Sequence, residues 1–280
     1  NLKHELNEYF TPSELPNPEE HFNELEKATL RIIQSCVRNE KIAICGDFDA
    51  DGITSTALLV EIFSSLGARV ESFIPSREDQ GYGLNYQMIN EINSKNIKLI
   101  ITVDNGISAF DAIKRSNDLG IDLIITDHHK IPKKQLIYHS LIHPERTPIN
   151  SPYKYLAGVG IAYILAKNIC NRLNYDINKS SANELYCIGT IADMAPIKGA
   201  NRKHLKENLP KLNTTTNKGL KSIIKKLFLD KKEITTEDVG YKIAPFINSV
   251  GRIGDPKLMV DLLTNESLHT VDKLTKECFV

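Results

Sequence analysis

Residues 41–52 read KIAICGDFDADG, a short apolar run followed by a turn that carries three aspartates. The same arrangement returns twice, as LIITVDNG at 99–106 and as IDLIITDHH at 121–129. A nearly continuous apolar run of about five residues is typical of a parallel strand that is buried on both faces. The three stretches therefore predict buried strands that each end in a polar turn.

Helical patterns alternate with these strands and define the predicted fold. Strands are predicted at 41–46, 69–74, 99–103, 121–126 and 136–142, with helices at 22–38, 53–66, 85–94 and 109–119. From Tyr155 onward the pattern is helical, with helices predicted at 156–173, 181–194, 202–212, 217–228, 236–246 and 256–264. The sequence thus predicts an α/β fold, a doubly wound, mostly parallel sheet with helices on both faces, followed by a helical segment.

This pattern divides the chain into three expected parts. Residues 1–40 form a helical lead-in, 41–150 an α/β core that carries the polar turns, and 151–280 a mainly helical part. A change from strand–helix alternation to helices alone is the only signal for the boundary near residue 150.

Composition excludes several classes of protein. Hydrophobic residues make up 41% and charged residues 25% of the 280 residues, which is ordinary for a globular protein and unlike a disordered one. No apolar run approaches the roughly 18 residues of a membrane span, and the five cysteines contain no CxxC pair. We therefore expect a cytoplasmic protein with no membrane partner. The net charge of zero argues against a large basic surface for nucleic acid, although bound cations can neutralise phosphate locally.

Acidic and imidazole groups follow three of the predicted strands. In an open parallel sheet the carboxyl ends of the strands meet at one edge, where ligands bind. The turns bring these groups to that edge: Asp47, Asp49, Asp51, Asp104, Asp127, His128 and His129. Unpaired carboxylates at such a density repel each other, and divalent cations remove the conflict. Carboxylate and imidazole ligands without thiolate favour Mg²⁺ or Mn²⁺.

Each turn also has a simpler interpretation. An aspartate after a strand commonly caps the following helix. DFDADG matches the first half of a calcium-binding EF-hand loop, but the twelfth position, where glutamate belongs, is Leu58. In a haloacid-dehalogenase pattern Asp47 would be the nucleophile and Asp49 its acid/base, which leaves Asp51 and Asp104 unexplained.

Four segments in order make the pattern specific. DFDADG, VDNG, TDHH and GTIADMAP at 189–196 resemble the four phosphoesterase motifs of the DHH family. IPSREDQGYGLN at 74–85, SPYKYLAGVGIAY at 151–163 and INSVGRIGDP at 247–256 are similar to segments of the RecJ-type exonucleases of that family. The resemblance extends from about residue 15 to 265. The GVG at 158–160 we interpret as close helix packing rather than a nucleotide loop.

The resemblance implies a set of roles at the sheet edge. Two Mn²⁺ or Mg²⁺ ions would be held by Asp49, Asp51, Asp104, His128 and Asp193, with Asp104 as the bridge. Asp47 would be a further ligand or would orient one. Asp127 would orient His128, and His129 would contact the phosphate or assist the leaving oxygen.

Substrate contacts are implied by the RecJ-like segments. Arg77 and Arg252 would hold phosphates, Tyr82 would stack a base or anchor its loop, and Asn248 would fix backbone or phosphate. Two positions depart from the family pattern, since Cys45 stands where many relatives have His and Phe246 where RecJ-type proteins often have Arg. The resemblance covers neither the DHHA1 subdomain nor the OB-fold that we expect of full-length RecJ-type proteins.

The implied function is 5′→3′ exonuclease cleavage of single-stranded DNA, by water that two metal ions activate, in repair and recombination. We expect a monomer, with a single-strand-binding protein or a helicase as partner. One alternative is a DHH-type phosphoesterase for short oligonucleotides, cyclic dinucleotides or pyrophosphate. A non-catalytic nucleic-acid-binding module is the other alternative, and it predicts that metal ligands are missing.

Overall fold

Five strands form one sheet in the part of the chain that the computed structural model describes, residues 10–75, 83–134, 136–228, 231 and 233–279. They are β1 Lys41–Cys45, β2 Arg69–Phe73, β3 Leu99–Val103, β4 Asp122–Thr126 and β5 Ser140–Ile142. The order is β2-β1-β3-β4-β5, and every neighbouring pair is parallel. The chain moves outward to β2, then returns past β1, so a switch point lies between β1 and β3. Ligands bind at the carboxyl ends of strands beside such a point.

Four helices accompany the strands: α1 Leu25–Val37, α2 Ala50–Ser65, α3 Tyr86–Ser94 and α4 Phe110–Asp118. Eight more follow in the second half: α5 Gly158–Arg172, α6 Ala182–Ala192, α7 Gly199–Asn208, α8 Lys218–Leu227, α9 Thr236–Asp238, α10 Ala244–Ile253, α11 Pro256–Thr264 and α12 Leu268–Cys278. A π-helical turn, Val239–Ile243, joins α9 to α10. No helix in the described ranges is both long and apolar enough to cross a bilayer.

Alternate strand residues face two separate apolar clusters. On β1, Ala43 and Cys45 belong to a cluster with α3 and α4, whereas Ile42 and Ile44 belong to a larger cluster with α1, α2 and the later helices. Because successive side chains of a strand point to opposite faces, the two clusters are the two sides of the sheet. The prediction of a doubly wound sheet with helices on both faces is confirmed.

Helix α2 is the centre of the larger cluster. Its residues from Ala50 to Leu59 are all buried, and it packs against α5, α6 and α11. Its buried hydroxyl groups are satisfied within the helix, since Thr54, Ser55 and Thr56 each donate to a backbone carbonyl oxygen one turn earlier. The cluster extends from Phe22 to Leu274 and includes residues on both sides of position 150. The division into 1–40, 41–150 and 151–280 stays a prediction.

Some element bounds differ from the predicted ones. The strand predicted at 136–142 is only Ser140–Ile142, and the helix predicted at 202–212 is α7 followed by a 3₁₀ helix, Leu209–Thr214. Pro210 has no N–H to donate to an α-helical ladder, which favours the tighter turn there. Helix α12 was not predicted, because its only buried residues are Val271, Leu274 and Thr275.

Substitution of Gly251 in α10 tests how closely this helix packs against the first acidic turn, residues 47–52. A Cβ on Gly251 would lie 2.0 Å from the carbonyl oxygen of Phe48, whereas on Gly240 its nearest neighbour would be Ile191 Cγ2 at 3.6 Å. We expect Gly251→Ala to lower the free energy of unfolding by about 1–3 kcal/mol, as overpacking does. Gly240→Ala should be neutral or stabilising by up to about 1 kcal/mol. Urea unfolding measures both, and equal effects would contradict this packing.

Candidate metal centre

The first acidic turn is anchored at its second and third aspartates, Asp49 and Asp51. Asp49 caps α2, and its Oδ1 accepts a hydrogen bond from Gly52 N at 2.9 Å. Asp51 reaches across to α5, where its two carboxylate oxygens accept from Gly158 N at 2.7 Å and Val159 N at 2.9 Å. The N-terminus of a helix stabilises a negative charge, so α5 fixes the orientation of Asp51.

Asp104 follows β3 in an unusual backbone conformation. Its φ is +61°, in the left-handed region that non-glycine residues rarely adopt. Gly158 packs directly against it, because a Cβ on that glycine would lie only 2.5 Å from Asp104 Cβ. A strained residue held by its surroundings is a feature of functional sites. The interpretation of GVG as close helix packing agrees with this contact.

His128 joins carboxylates from three different segments. Its Nε2 lies 2.9 Å from Asp104 Oδ1 and 3.9 Å from Asp51 Oδ2, and its Nδ1 lies 3.9 Å from Asp193 Oδ2. Two overlapping donor groups result, one of Asp104, His128 and His129 and one of Asp51, His128 and Asp193. In each group the potential ligand atoms lie within 4.8 Å of one another. The four motifs therefore meet at one edge of the sheet.

Burial and crowding dominate the electrostatics of this edge. Burial raises the pKa of Asp104 well above its usual value, and the charges of Asp51 and Asp49 raise it further. Burial also raises the pKa of Asp51, with added repulsion from Asp193 and Asp49. Burial lowers the pKa of His128, which favours a neutral imidazole. Neutral imidazole is the form that ligates metals.

We expected Asp127 to orient His128, but the histidine to which it is hydrogen-bonded is His129. Its Oδ1 accepts from His129 N at 3.0 Å and lies 2.8 Å from His129 Nδ1, while its Oδ2 accepts from Ile107 N at 2.9 Å. Burial would raise the pKa of Asp127, but these hydrogen bonds outweigh burial and lower the pKa. The hydrogen bond to Asp127 in turn raises the pKa of His129, whose side chain is 48% exposed. The oriented histidine is therefore His129.

Comparison with known proteins agrees with this arrangement. Residues 41–190 match the DHH family, N-terminal domain. The chain belongs to the DHH family. The RecJ single-stranded-DNA-specific exonuclease of Bacillus subtilis is 38% identical over 253 residues, and that of Escherichia coli is 30% identical over 272 residues. These alignments cover 90% and 93% of this chain but 32% and 47% of the relatives, so the chain spans a third to a half of their length.

The similarity to RecJ proteins extends to the three-dimensional fold. The crystal structure of exonuclease RecJ bound to manganese superposes with a TM-score of 0.83 at 30% identity, covering 92% of this chain and 65% of that one. The DHH-type fold predicted from the four motifs is thus confirmed. The individual site residues stay predictions, and their geometry in this chain is what supports them.

The DHH motif loops depend on one residue that the sequence reasoning missed. Asn105 Oδ1 accepts from Leu84 N at 3.0 Å, and its Nδ2 donates to the carbonyl oxygens of Val103 at 2.9 Å and Cys45 at 3.1 Å. It therefore joins the ends of β1 and β3 to Leu84, two residues before α3. The sequence feature that could have indicated its role is its place directly after Asp104 in a D-N-G turn.

The remaining predicted residues lie in different surroundings. Asp47 is fully buried beside Asp104, whose pKa its charge raises. Asn248 contacts backbone, since its Oδ1 accepts from Ala50 N at 2.7 Å. Arg252 is exposed in the last turn of α10, next to Gly251 and its contact with Phe48. Arg77 and Tyr82 lie outside the described residues.

Both departures from the family pattern serve packing. Cys45 is buried in the smaller apolar cluster, where burial raises the pKa of its thiol far above the usual range. Because its side chain lies in an apolar cluster, we interpret Cys45 as a packing residue. Phe246 stacks on Phe279, with ring centroids 4.1 Å apart. It therefore supplies a contact to the end of α12 rather than a phosphate ligand.

The donor set fits divalent cations of the Mg²⁺ and Mn²⁺ type. Asp51 and Asp104 are at most 2% exposed, and the repulsion that the N–H groups of α5 leave uncompensated calls for protons or cations. Oxygen donors with one or two imidazoles match the preferences of these ions. Asp51, Asp104, His128, His129 and Asp193 form the two donor groups, with His128 common to both. Asp49 is in neither group, although its charge raises the pKa of Asp51, Asp104 and Asp193.

We expect Mn²⁺ to stabilise the protein more strongly as pH rises. Acids whose folded pKa is raised contribute stability that is present below the unfolded pKa, about 3.8 for Asp104, and is lost as pH rises through the folded pKa. A cation replaces these protons. The free energy by which Mn²⁺ stabilises the protein should therefore grow between about pH 5 and about pH 8, reaching about 2.7 kcal/mol at a hundredfold excess over Kd, and it is seen as a rise in Tm.

Asp104→Asn should remove most of this shift, because it deletes one ligand charge at nearly constant volume. Asp118→Asn, which changes an exposed acid at the end of α4, is the matched control. Differential scanning calorimetry with and without Mn²⁺ measures all three proteins. An Mn²⁺ effect of the same size in Asp104→Asn and in Asp118→Asn would disprove the assignment.

Proposed function

We propose that this chain is the core of a RecJ-like exonuclease that hydrolyses single-stranded DNA from the 5′ end with two Mn²⁺ or Mg²⁺ ions. The observation that carries the proposal is the convergence of Asp51, Asp104, His128 and Asp193 from four motifs into two overlapping donor groups. The relatives named above are single-stranded-DNA-specific exonucleases, and the solved RecJ structure is bound to manganese.

Two acids of the centre are held by backbone N–H groups, and a third lies against His128. Asp49 and Asp51 are each oriented by backbone N–H groups, at the start of α2 and of α5. Asp104 Oδ1 lies 2.9 Å from His128 Nε2, and we propose, from the resemblance, that this carboxylate would be the ligand shared by the two ions. Bound divalent cations supply Lewis-acid stabilisation of the phosphoryl oxygens and lower the pKa of an attacking water.

Proton transfer falls to the pair of Asp127 and His129. Hydrolysis forms a bond from water oxygen to phosphorus and breaks the bond from phosphorus to the 3′ oxygen, which must gain a proton. His129 is accessible, and its hydrogen bond to Asp127 raises its pKa, so in this proposal it carries that proton and does not ligate an ion, although it also lies within the donor group of Asp104 and His128. His128, buried and neutral, is suited to ligation instead. The two adjacent histidines thus have separate roles.

Other parts of the proposal rest on the relatives. By their names, single-stranded DNA is the substrate, and repair and recombination are the processes that need such an enzyme. We further propose that the chain acts as a monomer in the cytoplasm, on strands supplied by a single-strand-binding protein or a helicase. Its five cysteines are all free thiols, which suits a reducing compartment.

Digestion of end-labelled strands tests the proposal. With Mn²⁺, a 5′-labelled single strand should release its label as a mononucleotide at once, whereas a 3′-labelled strand should shorten progressively. A blunt duplex should resist. Faster cleavage of dinucleotides, cyclic dinucleotides or pyrophosphate than of long strands would support the alternative phosphoesterase. Strand binding without any cleavage would support the non-catalytic module.

The same assay on Asp104→Ala and Asp118→Ala assigns the cleavage to the metal centre. Loss of the ion's several kcal/mol of transition-state stabilisation should lower the rate of Asp104→Ala by about three orders of magnitude or more. Asp118→Ala should cut as fast as the wild type. Circular dichroism checks that both variants are folded. Wild-type cleavage by folded Asp104→Ala would refute the central role of that carboxylate.

Arg252→Ala should weaken substrate binding without slowing the chemical step. An exposed arginine beside the first acidic turn can hold a phosphate that is not cleaved, so its loss should raise KM about tenfold and leave kcat unchanged. Arg38→Ala is the control, since Arg38 is exposed and precedes β1 at the opposite edge of the sheet. A lower kcat with unchanged KM would contradict this role.

A further inference from the structure

A basic cleft lies beside the metal centre, on the far side of the loop that follows β3. It has a volume of about 570 Å³. Three cationic side chains line it, Lys133, Lys134 and Arg146, over a floor that includes Ile107, Ile131 and Tyr138. These six residues define what we call the basic cleft. Its volume is in the range of clefts that bind small organic ligands.

The charge of the basic cleft is unbalanced. None of the described residues that line it is acidic, although acids and bases are equal in number over the whole chain. Within the described ranges, neither lysine nor Arg146 forms an ion pair with a carboxylate, whereas Lys95 and Lys203 each pair with two. Cations gathered in a concave surface without carboxylates favour an anionic ligand.

The floor and walls of the cleft are anchored to the core. Ile107 is 2% exposed, and its N–H donates to Asp127 Oδ2. Ile131 and Tyr138 pack against the smaller apolar cluster of the sheet. Lys134 Nζ lies 4.6 Å from the centroid of the Phe110 ring, a cation–π contact that holds the ammonium group in place. The cleft is thus a built surface with apolar and aromatic area below its charges.

The cleft adjoins the catalytic edge. A second cavity of about 370 Å³ is lined by Asp127, His129 and Asn105. Gly106, Ser108 and Ala109 also line this second cavity, while Ile107 between them lines the basic cleft. One loop of four residues therefore forms the wall between the two, and Asp127 holds that loop. A polymer bound at the metal centre could pass directly over the loop into the cleft.

We propose that the basic cleft binds the substrate strand beyond the cleaved nucleotide, with the three cations on backbone phosphates and Tyr138 with the apolar floor against a base. This inference rests on the proposed function and adds a second contact region to it. Single-strand binders combine a positive groove with an aromatic platform in this way. A short substrate fills the metal centre alone, and a long one fills both.

Strand binding by Lys133→Ala/Lys134→Ala/Arg146→Ala tests the proposal. The probe is a 3′-fluorescein oligothymidylate of about 20 nucleotides, with Ca²⁺ replacing Mn²⁺ so that it is not cut. Kd should rise at least about tenfold, and the slope of log Kd against log salt should fall by about 0.7 for each phosphate that the variant no longer neutralises. Cleavage of a thymidine dinucleotide in Mn²⁺ should change less than about twofold, since it reaches only the metal centre.

Lys221→Ala/Lys225→Ala/Lys226→Ala is the matched control, because these lysines of α8 are exposed and the charge change is the same. It should bind like the wild type, and Lys133→Arg/Lys134→Arg should keep strand affinity. Equal weakening in both triple variants would overturn the cleft as a site. The proposal would also be overturned if the first triple variant bound the strand as tightly as the wild type does, while a peptide of Asp and Phe bound the wild type and not that variant. If the wild-type protein binds strands tightly but cuts nothing, the proposed function is wrong, whereas the assignment of the basic cleft as a strand-binding site still holds.

Discussion

Repulsion among buried carboxylates at the switch point between β1 and β3 is the constraint on which the site depends. Asp51 and Asp104 are almost fully excluded from solvent, and their pKa values are raised by burial and by the charges of neighbouring carboxylates. A fold tolerates such a cluster only where N–H groups, protons or cations offset the charge. Here α5 offsets part of it at Asp51, and the proposed divalent cations would offset the rest.

The helical half of the chain is a structural part of this centre. Gly158 and Val159 donate to Asp51, and the same glycine packs on Asp104. From the other side, Asn248 accepts from the first turn of α2, and Gly251 lies against Phe48. The motif loops are therefore held between the sheet and the later helices. A substitution that moves α5 or α10 should therefore also move the carboxylates of the metal centre.

Much of the fold and the grouping of the site could be predicted, because parallel strands deliver their ends to one edge. The turns after β1, β3 and β4 were enough to predict that Asp49, Asp104 and His128 lie close together. Sequence could not decide which of two adjacent histidines Asp127 orients, since that depends on side-chain rotamers. Asn105 was missed for a related reason, because its bonds join segments that are distant in sequence.

The central claim is that two divalent cations occupy the centre, and anomalous diffraction at the manganese edge tests it most directly. Crystals grown with Mn²⁺ should show two peaks about 3.5–4 Å apart, bounded by Asp51, Asp104, His128 and Asp193. The distance matters because ions so placed can act on the attacking and leaving oxygens of one phosphate. A centre without manganese, in crystals where these side chains keep their places, would contradict the account.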